Sequence, residues 1–181
     1  DTWDGKITSD SGFLNANWIV SPALGVEGFI KYHQRDNDST FPVANVISPT
    51  VTNQLVGPYI KAIESIDYGL AANWRPNIMN STLTLGWHRM DRNRDLIFGS
   101  IAPGQTLYRE ETLSDELYLK WIARPALGWT VRLTPSYTWA DSTGLVTEPE
   151  EALKVKALVS YAAPEGWLVS SFYDYKHKQN S

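Results

Sequence analysis

The sequence predicts an all-β protein, an antiparallel up-and-down β-meander, on three observations. Apolar and polar residues alternate with period two through most of the chain, as in WTVRLTPSYTW from Trp129 to Trp139, and successive side chains of a strand point to opposite faces of a sheet. Four segments, starting near Asn15, Ala71, Leu119 and Val159, share one plan: a strand, a short turn with Pro, a second strand and a looser loop. No stretch has a convincing 3.6-residue period. A repeated hairpin argues for a meander rather than a mixed α/β fold.

The elements follow in order, with boundaries good to about two to four residues. Strands at 12–20 and 25–36 flank Pro22; Leu14, Ala16 and Trp18 alternate with Asn15 and Asn17, then Val26, Ile30 and Tyr32 with Glu27, Lys31 and His33. Strands at 64–74 and 81–91 flank Pro76; Ile66, Tyr68, Leu70, Ala72 and Trp74 form one stripe, and Leu83, Leu85 and Trp87 the next. Strands at 112–123 and 129–140 flank Pro125; Leu117, Leu119 and Trp121 alternate with Glu116 and Lys120. Strands at 151–162 and 166–177 flank Pro164; Leu153, Val155, Ala157, Val159 and Tyr161 alternate with Lys154, Lys156 and Ser160, while WLVSSFYDY is ambiguous between its faces. Proline fixes φ and suits turns, so the four prolines mark hairpin tips.

Composition narrows the function. The 181 residues suffice for a single domain, 1–181, and carry 16 Lys+Arg against 20 Asp+Glu, a net charge of −4, which argues against a nucleic-acid partner. Zero Cys excludes disulfides, thiolate metal sites and haem attached through CxxCH. Mean hydropathy is −0.30, and no apolar run approaches the length of a membrane helix. Barrel strands are polar at every second position, so low hydropathy is compatible with membrane crossing by strands. Asp1 opens no signal peptide, as expected of a mature chain or of a section of a longer one.

The aromatic residues give the meander a setting. Trp129 and Trp139 close the two ends of one apolar stripe; eleven residues span roughly 35 Å, or about 25 Å when tilted, close to the apolar band of an outer-membrane barrel. The expected girdle is Trp18, Trp74, Trp87, Trp121, Trp129, Tyr137, Trp139 and Tyr161. The expected lumen-facing set is Glu27, Lys31, His33, His88, Glu116, Lys120, Arg132, Lys154 and Lys156. Its mixed signs predict cross-strand pairing and weak ion selectivity. Short Pro turns alternate with links of about 28, 20 and 10 residues after Arg35, Met90 and Ala140, the layout of a barrel in a bacterial outer membrane, with its short turns periplasmic. A soluble ligand-binding barrel with the apolar set turned inward is the competing fold.

Chemistry-bearing residues are sparse. His33 and His88 occupy matching repeat positions two strands apart, which favours interfacial polar residues over a metal or cofactor pair. Asp36, Asn37 and Asp38 lack the glycine and distal glutamate of a calcium loop. No nucleophile–base motif is present, so no enzyme activity, catalytic residue, metal site or cofactor bound by the chain itself is expected. The loop 36–64, with FPVANVISPTVTNQLVGPYI, is long and apolar enough to fold over the barrel mouth or dock a partner.

The units ending in NWRP or IARP and continuing as STLTLGWHRMDRNRD or WTVRLTPSYTWADS resemble the decahaem-associated outer-membrane β-barrel family (MtrB/PioB type), across all four hairpins. The resemblance implies a porin-like sheath around a multihaem c-type cytochrome for transmembrane electron transfer, with haem present only through that partner. Family members are much longer, so the chain reads as about eight strands of a larger transmembrane barrel in contact with the lipid bilayer; their N-terminal Cys motif is absent here, and nothing is carried over from it. The alternative is a complete small eight-stranded barrel serving as anchor, adhesin or narrow passive channel.

The alternation generates a first prediction. Leu133 should face the centre of the lipid and Thr134 the lumen. Leu133→Arg is expected to cost about 2–4 kcal/mol and Thr134→Arg little, measured by urea unfolding in reconstituted vesicles. Equal costs would break the assignment of faces.

Overall fold

The computed structural model describes residues 6–38, 44–48, 51–100, 106–142 and 149–180. Among the described residues there are nine strands: β1 (Ile7–Ser21), β2 (Leu24–Asn37), β3 (Ala44–Ser48), β4 (Val51–Trp74), β5 (Thr82–Ser100), β6 (Thr106–Ala123), β7 (Trp129–Ser142), β8 (Glu151–Ala162) and β9 (Leu168–Gln179). They form one sheet in the order β1-β2-β4-β5-β6-β7-β8-β9, with β3 paired to β4 off that path. Every pairing is antiparallel. Eight of the strands therefore make an up-and-down meander, and no helix occurs among the described residues.

All four predicted turns lie between consecutive strands, with Pro22, Pro76, Pro125 and Pro164 in the connecting segments. The turns also join to one another. Arg75 N donates to Ala23 O at 2.8 Å, Arg124 N to Met79 O at 2.9 Å and Ala162 N to Gly128 O at 2.9 Å. Backbone pairing thus continues past prolines that have no N–H to offer.

The other end differs from the expected long loops. The stretch 36–64 contains strand β3 and the first half of β4, which runs for 24 residues, while β5 and β6 reach to Ser100 and back from Thr106. The links 39–43, 49–50, 101–105 and 143–148, including Pro42 and Pro49, lie outside the described residues. The hydrophobic stripe stops near Ile66 and Trp87, so the pattern alone ended the strands there. Their ladder continues through polar and charged residues, pairing Glu64 with Asn93 and Asn93 with Glu111. Pairing is a backbone property and persists beyond the apolar stripe.

Two prolines inside strands occupy breaks in the ladder. Pro58 falls in the register shift between Val56 and Tyr59. At Pro135 the pairing of β7 with β6 lapses between Ser136 and Leu133, whereas Pro135 still lies opposite Val155 of β8. A residue without N–H is tolerated at such positions.

The sheet has almost no hydrophobic interior. Among the described residues the buried apolar side chains are four alanines and Leu96, and none of the largest side chains is fully buried. β1 and β9 are exposed along their whole lengths, and no β1–β9 pairing exists among the described residues.

Gly128 offers a test of turn geometry. Its φ is +80°, and a Cβ there would lie 2.4 Å from Ala162 O; Gly166, at φ +92°, has open space around it. Gly128→Ala is expected to cost more than the roughly 1–3 kcal/mol of conformational strain alone that Gly166→Ala incurs. Urea unfolding monitored by tryptophan fluorescence measures both, and a larger loss at Gly166 would refute the turn geometry.

Candidate functional site

Antiparallel pairing preserves side-chain parity from strand to strand, so the register assigns each residue to a face. One face is continuous and apolar. Trp18 lies opposite Val26, Val26 opposite Ala72, Ala72 opposite Leu85, and Leu85 opposite Leu119. Beyond the lapse at Pro135 the same face continues through Leu133, Ala157 and Tyr173. These residues are unburied: Trp18 is 69% exposed, Leu70 59% and Tyr173 58%.

Aromatic residues border this belt at both levels. Nearest the Pro turns stand Trp18, Trp74, Trp121, Trp129 and Tyr161; at the far edge stand Tyr32, Tyr68, Trp87, Tyr137, Trp139 and Tyr175. All eight expected girdle residues are on this face. Trp129 packs against Tyr161 at a centroid distance of 4.9 Å, and Tyr68 meets the Trp87 ring at 5.7 Å. At the far edge the indole Nε1 of Trp87 donates to Asp115 Oδ1 at 2.9 Å, and Arg89 Nη1 reaches Asp115 Oδ2 at 3.2 Å. An indole with an apolar body and a bonded polar tip suits a boundary between oil and water.

The opposite face is polar and the less exposed of the two, as a curved sheet requires if this side is concave. Thr84, Thr112, Glu110 and Ser136 are buried there. Glu27, Lys31, His33, His88, Glu116, Lys120, Arg132, Lys154 and Lys156, the nine residues expected in the lumen, all lie on it. His88 stands between two carboxylates, with Nε2 4.0 Å from Asp67 Oδ1 and Nδ1 3.9 Å from Glu116 Oε2. Lys31, opposite Asp67, also sits 5.1 Å from the Phe29 ring centroid. These neighbours run from β2 through β4 and β5 to β6.

His33 lies opposite Ser65 of β4, and His88 opposite Gly69 four residues further along. The two histidines thus differ in both strand and level. No group of three metal-ligating side chains forms among the described residues. Asp36 and Asn37 alternate at the end of β2 rather than converging on a calcium site.

Several polar-face residues escaped the sequence reading. Arg35, Arg92, Arg94, Lys176 and Lys178 join this face, enlarging the basic excess already present in the expected set of mixed sign. The missed signal was the same period of two carried through Met90, Arg92 and Arg94, beyond the last aromatic residue. Phe29 and Tyr118 were missed for another reason: each is an aromatic on a polar stripe, lying over a glycine of the neighbouring strand, Gly69 and Gly86 respectively.

No protein-family model, curated protein or solved structure matches the chain. Its class is therefore stated from geometry: an all-β meander with one apolar and one polar face.

The two glycines differ in what a side chain would strike. A Cβ on Gly69 would fall 2.6 Å from the Trp87 carbonyl oxygen, whereas on Gly86 it would meet only the outer part of the Tyr118 ring. Gly69→Ala should cost about 1–3 kcal/mol, since strand backbone must move. Gly86→Ala should cost less, and its cost should largely vanish in a Tyr118→Ala background. A double-mutant cycle by urea unfolding measures this; an unchanged cost in that background would contradict the packing.

Proposed function

We propose that the chain forms part of the wall of a bacterial outer-membrane β-barrel, a porin-like sheath whose polar face lines a lumen around a multihaem cytochrome. One observation carries the reading. An apolar belt bordered by aromatic rows runs over eight strands whose two edge strands do not pair with each other among the described residues. Exposed apolar side chains over so large an area need an apolar solvent, and open strand edges in lipid need further strands. Both features favour a barrel wider than eight strands.

The competing folds fit less well. A soluble barrel would enclose the apolar set, yet this is the more exposed face. A complete small barrel would pair β1 with β9. The cytochrome enters through the resemblance of the hairpin repeats, together with the absence of Cys, which leaves haem to a partner. The chain then acts as an insulating wall rather than an enzyme, and the redox chemistry belongs to the haems.

Two measurements test this at separate levels. In reconstituted vesicles Trp129 and Trp139, each studied as the sole tryptophan, should be quenched by lipids brominated near the headgroup and little by lipids brominated near the bilayer centre. Quenching by neither lipid would end the membrane reading. Detergent extracts of native membranes should carry a haem Soret band that co-purifies with the protein, while the chain purified alone should be colourless. Membrane insertion without any haem partner would leave a barrel but remove the sheath.

A further inference from the structure

Charge on the polar face is sorted by depth. Among the described residues its ladder positions carry ten Lys and Arg against five carboxylates, Glu27, Asp67, Glu110, Glu116 and Asp174. Of the carboxylates only Asp174 is exposed, whereas of the cations only Arg92, Arg94 and Lys154 are half-buried and seven are exposed. Asp67 and Glu116 flank His88, and Glu110 lies 3.9 Å from Arg94. Lys31 and Lys156 have a carboxylate directly opposite, Asp67 and Asp174. The other five exposed cations have none as a ladder partner: Arg35 faces Ser9 and Ile63, Lys120 faces Thr84, Arg132 faces Ile122 and Leu158, Lys176 faces Lys154 and Lys178 faces Ala152. Long basic stems carry their charge away from the sheet, while short carboxylates stay close to it. The accessible layer of this face is therefore basic.

The extent of that layer says what it fits. Arg35 shares a row with Ile63, Arg94 and Glu110, and Arg132 lies opposite Ile122. From Glu110 to Ile122 along β6 is roughly 40 Å, and from β2 across to β9 roughly 30 Å. A small anion would meet two or three of these cations and leave the rest without a counter-charge. Duplex nucleic acid carries one charge per about 1.7 Å, so roughly 40 Å of it would bring more than twenty phosphates against an excess of five. A protein surface with scattered Asp and Glu matches both the spacing and the size of the excess.

We propose that the polar face is a docking surface for a net-acidic protein surface, held by dispersed contacts with its exposed lysines and arginines. This deepens the sheath reading and rests on it for placing that protein in a lumen: the occupant turns Asp and Glu toward the wall. Complementary charge of this kind sets the encounter and the orientation of the partner more than it adds affinity, and contacts between exposed charges weaken as salt rises.

Two experiments test it. In detergent micelles at low ionic strength the whole protein should bind a fluorescent polyglutamate peptide, read by anisotropy, and ignore polylysine; binding should fade above about 0.15 M salt, where charges further apart than about 8 Å are screened. Lys120→Gln, Lys156→Gln, Lys176→Gln and Lys178→Gln combined should weaken it about tenfold or more, the sum of four modest exposed contacts. Arg109→Gln, on the opposite face beside Asp95, should leave it unchanged. The second experiment alters no residue: in the complex extracted from native membranes, a carbodiimide, which joins amines to carboxylates already in contact, should link these lysines to Asp or Glu of the co-purified haem protein. No polyglutamate binding, binding indifferent to the four substitutions, or displacement by an oligonucleotide of equal charge would overturn the proposal. A haem protein retained with no such cross-links would overturn it and leave the sheath standing. Polyglutamate binding as expected with no haem protein in the extract would end the sheath reading and keep the acidic docking surface.

Discussion

Antiparallel pairing that keeps one register across the apolar belt is the constraint on which the rest of this structure depends. Each strand inherits the facing of its neighbour through the ladder, and a slip of one residue would turn its whole apolar stripe to the wrong side. Along the layer from Trp18 through Val26, Ala72, Leu85 and Leu119 no slip occurs. The irregularities sit where they do no such harm: at Ser21 beside the first turn, at Pro58 and Ile60 in the extension of β4, and at Leu113 past the aromatic edge. Pro135 does lie inside the belt, but there the ladder lapses and resumes in the same register. The belt is thus a consequence of register, and the polar face is its complement.

A sheet of this kind cannot stabilise itself as a soluble domain does. Burial of apolar area is the dominant favourable term in folding, yet the described residues enclose little beyond alanine and Leu96. What holds the strands is backbone hydrogen bonding and cross-strand contact within each face. Tyr118 over Gly86 and Phe29 over Gly69 add aromatic cover exactly where a strand lacks a side chain of its own. In lipid the same architecture becomes favourable, because every paired N–H and C=O is satisfied internally and the exposed leucines and tryptophans meet a matching solvent.

Charge follows the same division. Acidic residues such as Asp36, Glu64, Asp91 and Glu151 continue the apolar face beyond its aromatic edge, while the lysines of β8 and β9 gather on the other side. A chain with net negative charge therefore presents a polar face with a basic excess. Net charge describes a sum, and a two-faced sheet separates its terms.

Period-two alternation, as in Trp129–Trp139, and the four turn prolines determined, from sequence alone, the all-β class, the central strands and, within the belt, which residues share a face. These are local signals: period two follows from strand geometry, and proline constrains its own φ. The sequence could not show that β4, β5 and β6 run on past the belt, since polar residues such as Asn93 pair through backbone as well as leucine does. Nor could it bring Lys154 opposite Lys176, or lay Tyr118 over Gly86. Those neighbours lie on different strands, and only the register, a long-range property of the assembled sheet, decides which residues meet.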